Sequence, residues 1–404
     1  MRRLAILVMA VIGVTALAAP AAPAAIAQSD SGDEPTLDDA PSGRAPKRGE
    51  DYRGTLKDAI ADIQAYWTEQ FPELYGSDYE PIPANRIIAA KPRVKLPKCQ
   101  GQTVTYGDAE NNAFYCYKSN FIAYDDVGLF PRIHRDFGGL AVPLVLAHEW
   151  GHAIEDRAGN ADQRTILKEL QADCFAGSWL KHVADGDSKR VKLKDGNLDA
   201  ALAALLNFAD EPGTSEETEP GAHGSGFDRV SALQQGFDDG AEACAPYYDT
   251  PPTIVEIPFS DEQDAATGGN APAEKVIPVG VDLLNDFYTQ VEPAYVPKTI
   301  DDVYAFDADD EDNLPVCGGT EQDKETVDNR LFYCIDDGNF GFDEPYVQHV
   351  YDDIGDFGVV TLLANPFATY VQTIQQFPGV DENADNAVLG ADCYTGGFAA
   401  AMFN

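Results

Sequence analysis

The sequence predicts an α+β protein of two domains, the second a partial copy of the first, and three observations carry that reading. Segments with apolar residues at helical spacing are interleaved with a stretch of every-other-residue patterning, which mixes helix with strand. A series of aromatic, cysteine and glycine anchors recurs in one order in the second half of the chain. With 404 residues and 44% apolar composition, the chain can bury two separate cores.

Residues 1–27 read as an export signal: Arg2 and Arg3, an apolar run from Leu4 to Leu17, and the small-residue end Ala25-Ile26-Ala27. No later run is long and apolar enough to cross a bilayer, so a secreted, extracytoplasmic protein with no integral membrane segment after signal cleavage is expected. The formal charge of −40 deepens to about −42 when the two arginines leave, and such a field repels phosphate backbones and anionic lipid. Nucleic acid is therefore excluded as a partner. Residues 28–51, rich in Ser, Asp, Pro and Gly, lack the apolar content to order themselves and read as a disordered tether.

The first domain is expected over residues 52–247. Leu56 to Gln70 has helical periodicity, and Phe114 to Tyr124 alternates as a strand does. Pro143 suits the first turn of a helix that ends near Gly159; Thr165 to Val183 and Leu198 to Phe208 read as two more helices. Residues 248–277 read as a linker, because the stretch from Asp261 to Glu274 contains Ala-Thr-Gly-Gly-Asn-Ala-Pro. The acidic run Asp307 to Asn313 lacks the sixth-position glycine and twelfth-position glutamate of a calcium loop, and reads as exposed loop.

Residues 278–404 read as the degenerate repeat. Tyr66-Trp67-Thr68 corresponds to Phe287-Tyr288-Thr289, Phe114-Tyr115-Cys116 to Phe332-Tyr333-Cys334, Gly138 to Gly355, and Ala172-Asp173-Cys174 to Ala391-Asp392-Cys393. In an exported chain Cys99 with Cys116, and Cys317 with Cys334, are expected to form hairpin-closing disulfides, and Cys174 to pair with Cys244. That leaves Cys393 alone, so the last segment of the second copy is expected to be missing, by truncation or by loss. None of the cysteines has the CxxC spacing of a metal site.

The chemistry is concentrated in His148-Glu149-Trp150-Gly151-His152. Two histidines four apart on a helix share a face and can offer imidazole nitrogens to one Zn²⁺, while the intervening glutamate serves as general base toward the attacking water. A third protein ligand is needed, with Glu155, Asp156, Asp162, Glu169 and Asp173 as candidates. Glu155 and Asp156 continue the motif helix and cannot fold back on the metal, whereas Glu169 lies on the next helix and can cross beneath the site. In the second copy the motif reads Asn365-Pro366-Phe367-Ala368-Thr369, with no imidazole and no carboxylate, so one zinc, in the first domain, is expected. Pro366 should also make that helix start late or kink.

These residues resemble a family. Glu169-Leu170-Gln171-Ala172-Asp173-Cys174-Phe175-Ala176-Gly177 after HEWGH is similar to the neutral zinc metallopeptidases, and more distantly to membrane zinc proteases with an ExxAD ligand motif. The resemblance implies a zincin-like domain, with Glu169 as third ligand and Asp173 supporting the site. A trailing pattern from His223-Gly224 through Arg229 and Gly236 to Cys244 also matches, with Ala222 where the family often has threonine; it makes His223 a candidate to stabilise an oxyanion. The resemblance spans about Leu56 to Cys244 in full, and Val281 to Asn404 without the metal residues. It implies a peptide or protein substrate. Two other readings compete: a non-enzymatic secreted binding or scaffold protein with a structural zinc, and an amidase acting on cell-wall cross-links. Structural zinc is normally closed by four protein ligands, which favours an enzyme here. The second copy is then a structural or binding partner.

Overall fold

The computed structural model describes residues 52–160, 164–193, 197–210, 223–255, 259, 261–292, 295–296, 303–310, 312–334, 336–374 and 384–402. The expected export signal and tether lie outside them. The chain divides into two compact units that part between Gly269 and Asn270.

In the first unit α1 (Tyr52–Tyr75) precedes β1 (Ile87–Ala90), β2 (Ala113–Cys116) and β3 (Phe121–Asp125). Then follow α2 (Leu129–Phe137), α3 (Ala141–Ala158), α4 (Thr165–Ala184), α5 (Asn197–Leu206), α6 (Gly226–Asp239), α7 (Ala241–Cys244) and α8 (Glu262–Ala266). The strands form one sheet in the order β1-β3-β2, with β1 parallel and β2 antiparallel to β3. The single strand expected over Phe114 to Tyr124 is thus two. Lys118 and Asn120 adopt positive φ (58° and 48°) and reverse the chain, so that Ala113–Cys116 and Phe121–Asp125 pair antiparallel.

The core is helical and aromatic: Trp67 of α1 meets Phe175 of α4 edge to face at 5.1 Å, and Trp150 and Trp179 are fully buried. Helices α4 and α6 approach so closely that a Cβ on Gly236 would lie 1.8 Å from the Cys174 carbonyl oxygen. Asp125, at the end of β3, ties the loops around the sheet by accepting hydrogen bonds from the amides of Asn111, Val127, Gly128 and Leu129 and from the Tyr106 hydroxyl. Burial opposes its ionisation, but those amides overcome the penalty and hold its pKa down at about 2.

The second unit contains α9 (Ala273–Val291), β4 (Val303–Phe306), β5 (Val316–Cys317), β6 (Thr320–Glu321), α10 (Lys324–Val327), β7 (Leu331–Cys334) and β8 (Asn339–Asp343). It continues with α11 (Glu344–Ile354), α12 (Asp356–Ile374) and α13 (Ala384–Met402). Its main sheet runs β4-β8-β7, with β4 parallel and β7 antiparallel to β8. Helix α9 begins inside the segment expected to be a linker, and its Val276 and Ile277 are buried in this unit's core. Pro366 does not delay its helix: α12 begins at Asp356 and runs to Ile374. The roughly 3 kcal/mol that an interior proline costs is opposed by burial of Leu363, Ala364, Phe367 and Ala368 around it.

Three disulfides are present, Cys99–Cys116, Cys174–Cys244 and Cys317–Cys334, with Cα–Cα separations of 5.8, 5.6 and 5.6 Å. The first and third tie separate elements and do not close a hairpin: Cys99 lies in a turn bridged to Gln102, and Cys317 on β5, while Cys116 and Cys334 end β2 and β7. Cys393 is free and exposed. No helix among the described residues is long and apolar enough to cross a membrane.

Candidate metal centre

Helices α3 and α4 cross at a point set by two small residues. A Cβ on Gly151 would sit 2.6 Å from the Ala172 Cα, so the backbones touch in the middle of HEWGH and of ELQADC. That contact brings three donors together. Nε2 of His148 lies 3.3 Å from Glu169 Oε2, and Nε2 of His152 lies 3.5 Å from Glu169 Oε1. One ligand atom from each of the three residues falls within 4.8 Å of the others.

Each imidazole is held from behind. Nδ1 of His148 meets Asp173 Oδ1 at 2.7 Å, and Asp173 in turn receives the Arg229 guanidinium through Nε at 2.8 Å and Nη2 at 2.9 Å. Arg229, 2% exposed, also donates to the Phe208 carbonyl oxygen at 2.7 Å. Nδ1 of His152 faces Glu155 Oε2 at 3.0 Å and the Tyr117 hydroxyl at 2.9 Å. Engaging both Nδ1 atoms leaves both Nε2 atoms pointing toward Glu169. Two imidazoles, each with Nε2 turned to the shared point, and one carboxylate on a buried wall fit a zinc ion with an open position, and the residues present therefore fit the metal.

The charges follow the geometry. Burial alone would raise the Glu169 carboxyl, but the facing His152 and hydrogen bonds from both histidines hold it well below the usual range. Burial likewise opposes ionisation of Asp173, and Arg229 and His148 pull it down. Burial resists protonation of His148 and the Asp173 charge outweighs it, raising the ring to about 9. Glu149 is raised, mainly by burial and partly offset by His152 and His148, and its Oε2 is buried without a hydrogen-bond partner. Burial and the Glu155 charge push the Tyr117 hydroxyl far up, so it stays protonated.

The centre opens into a cleft of about 420 Å³. Edge strand β2 supplies Ala113, Phe114 and Tyr115 to one wall; Leu205 and Phe208, with Asp210 and His223, supply another. His223 is half exposed in the cleft, its Nδ1 3.5 Å from Asp210 Oδ1, and its backbone amide donates to Asp210 Oδ2 at 2.7 Å. Glu155 and Asp156 are not among the clustered donors. Asp156 accepts from the Lys118 amide at 2.8 Å and the Tyr115 hydroxyl at 2.9 Å, which pins the turn after β2 onto α3. Asp162 lies outside the described residues.

In the second unit Asn365 and Asp392 meet across α12 and α13, Nδ2 to Oδ1 at 2.9 Å, and Thr369 donates to the Asn365 carbonyl oxygen. Phe367 stacks on Tyr288 and Phe340 at 5.6 and 5.7 Å. No cluster of metal donors is found at Asn365 among the described residues.

Sequence reasoning missed Tyr117 and Asp210 as neighbours of the centre; it named Glu155 only as a candidate ligand and Arg229 only within the trailing pattern. The i,i+3 spacing of His152 and Glu155 was a usable signal for the place of Glu155.

A helix-borne HExxH facing a glutamate from the next helix defines the zinc-hydrolase type of site. The chain belongs to the family described as "Putative neutral zinc metallopeptidase", whose model matches residues 2–247. It is similar to "Uncharacterized protein YpfJ" of Escherichia coli, 27% identical over 212 residues that cover 46% of this chain and 67% of the relative. It is also similar to "Uncharacterized protein Mb2605" of Mycobacterium bovis and "Uncharacterized protein Rv2575" of Mycobacterium tuberculosis, each 29% identical over 157 residues, 33% of this chain and 53% of the relative. No solved structure matches it significantly.

Proposed function

We propose that the chain is an exported zinc metallopeptidase whose first unit hydrolyses peptide bonds, with His148, His152 and Glu169 as metal ligands and Glu149 as general base. The observation that carries this reading is the convergence of the three donor groups beside a buried glutamate in an open cleft. Zinc held there supplies a Lewis acid that lowers the pKa of water and polarises the scissile carbonyl. Glu149, raised by burial, accepts the proton of the attacking water and returns it to the leaving amine. His223, backed by Asp210, donates to the developing oxyanion from the opposite wall. The outer edge of β2 receives an extended peptide by strand addition, since β2 pairs on one side only among the described strands. Asp173 holds His148 through Nδ1, and Arg229 keeps Asp173 ionised.

The second unit is a metal-free copy of the first. In support, both sheets share one order and one mix of parallel and antiparallel pairs. Asp343 accepts from the Asn329 amide as Asp125 does from Asn111, and both asparagines have positive φ. The Asn365–Asp392 pair stands where His148 meets Asp173. Three disulfides and the N-terminal signal pattern support export to an oxidising compartment.

The test is hydrolysis of casein-derived peptides and of peptidoglycan by the wild type and by Glu149→Gln. Peptide cleavage that is lost in the variant while zinc is retained is the expected result. Residual cleavage within tenfold of wild type rejects the role of Glu149, and cleavage of peptidoglycan alone moves the substrate to the cell wall.

A further inference from the structure

The two histidines of the centre are supported differently, and the support of His152 has no counterpart in the HExxH and ELQAD residues. Tyr117 has one hydroxyl proton. At 2.6 Å from Glu155 Oε2 the hydroxyl donates to that carboxylate, which leaves its oxygen lone pairs facing His152 Nδ1 at 2.9 Å. Glu155 Oε2 lies 3.0 Å from the same nitrogen. Both neighbours of Nδ1 are therefore acceptors, and Nδ1 must carry the proton. The other nitrogen, Nε2, faces Glu169 and is the one free to offer its lone pair to a metal held there.

We infer that Glu155 and Tyr117 are a positioning pair that fixes the tautomer and ring orientation of His152 for metal binding, and that couple this ligand to the substrate-bearing strand. The inference rests on the metal-site reading given above. The first half follows from the shared acceptor geometry, because a histidine ligand whose outer nitrogen is hydrogen-bonded is pre-oriented and more basic. The second half follows from chain connectivity. Tyr117 is the first residue after β2, and the turn that carries it is fastened to α3 by Asp156, the neighbour of Glu155. The Lys168 ammonium lies 5.2 Å from the Tyr117 ring centroid, so α4 also restrains the ring. Tyr117 also lines the cleft. A shift of the β2 edge on peptide binding is thereby transmitted to the hydrogen bond that orients His152. Glu155 is fully buried and keeps no contact with the cleft, so its part is confined to holding the ring.

The experiment uses the full chain and measures zinc affinity by competition with a chelator, together with the visible spectrum of the Co²⁺-loaded protein. Four variants are compared with wild type: Glu155→Ala, Glu155→Gln, Tyr117→Phe, and Leu180→Ala as a core change away from the centre. Zinc affinity is expected to fall about 10- to 100-fold in Glu155→Ala, the range for removing an outer partner of a histidine ligand. Glu155→Gln, which keeps the shape and one acceptor oxygen, should recover most of that loss. Tyr117→Phe should alter the Co²⁺ spectrum and raise KM for peptide more than it lowers kcat. Leu180→Ala should lower thermal stability and leave zinc affinity unchanged, which separates positioning from general destabilisation. Affinity of Glu155→Gln and Glu155→Ala within twofold of wild type, with an unchanged Co²⁺ spectrum, overturns the inference while leaving the metal site standing. A wild-type chain that takes up no zinc overturns both.

Discussion

Gly151→Ala tests the geometry that assembles the centre. The added Cβ would meet the Ala172 Cα at 2.6 Å, its Cβ at 2.8 Å and its carbonyl oxygen at 2.9 Å, all backbone or nearly so, with no flexible side chain to swing away. Carbon atoms rest at about 3.5–4.0 Å, so α3 and α4 must part by roughly 1 Å at the crossing. The histidines ride on α3 and Glu169 on α4. A metal site tolerates only about ±0.2 Å in its ligand distances, so a 1 Å opening spoils it. The same substitution gains up to about 1 kcal/mol in helix propensity and loses about 1–3 kcal/mol or more to overpacking. The expected result is a modest drop in thermal midpoint and a loss of zinc affinity far out of proportion to it. Thermal unfolding in chelator gives the first quantity and competitive zinc titration the second. Wild-type zinc affinity in Gly151→Ala would refute the claim that this contact sets the donor spacing.

Arg229→Ala leaves the Asp173 carboxylate buried and without its two guanidinium bonds, and breaking such a pair costs about 3–5 kcal/mol. The first unit's thermal midpoint should fall by about 10 °C; a change under about 2 °C would show the pair to be energetically idle. Asp125 gives a pH signature. Its folded pKa lies below its unfolded value, so its stabilisation is complete above about pH 4 and is lost as pH falls toward 2. Urea midpoints taken from pH 5 to pH 2 should fall more steeply for wild type than for Asp125→Asn, and parallel curves would count against this role.

Most of the centre was legible because ligand spacing on helices is a local property. His148, Glu149 and His152 share one turn and more of α3, and Glu169 and Asp173 share a face of α4 by the i,i+4 rule, so the donor set follows from two short strings. What supports the ligands was less legible, because it comes from distant chain segments. Arg229 reaches Asp173 from 56 residues away, and Tyr117 reaches His152 from 35. Glu155 shares the motif helix and so cannot ligate, and its place behind the His152 imidazole shows only in the fold. The reversal at Lys118 to Asn120 is hard to read from the sequence because neither Lys118 nor Asn120 is glycine, and the aromatic and apolar residues on both sides look like one strand. The intrinsic helix penalty of Pro366 predicts a late start or a kink, yet the helix starts ten residues earlier, with burial around Phe367 opposing that penalty.

Metal analysis of the purified full chain is the most direct test of the account. One zinc per wild-type chain is predicted, falling below a tenth of that in Glu169→Ala after dialysis against a weak chelator. Zinc retained in full by Glu169→Ala, or a wild type carrying none or two, would contradict it.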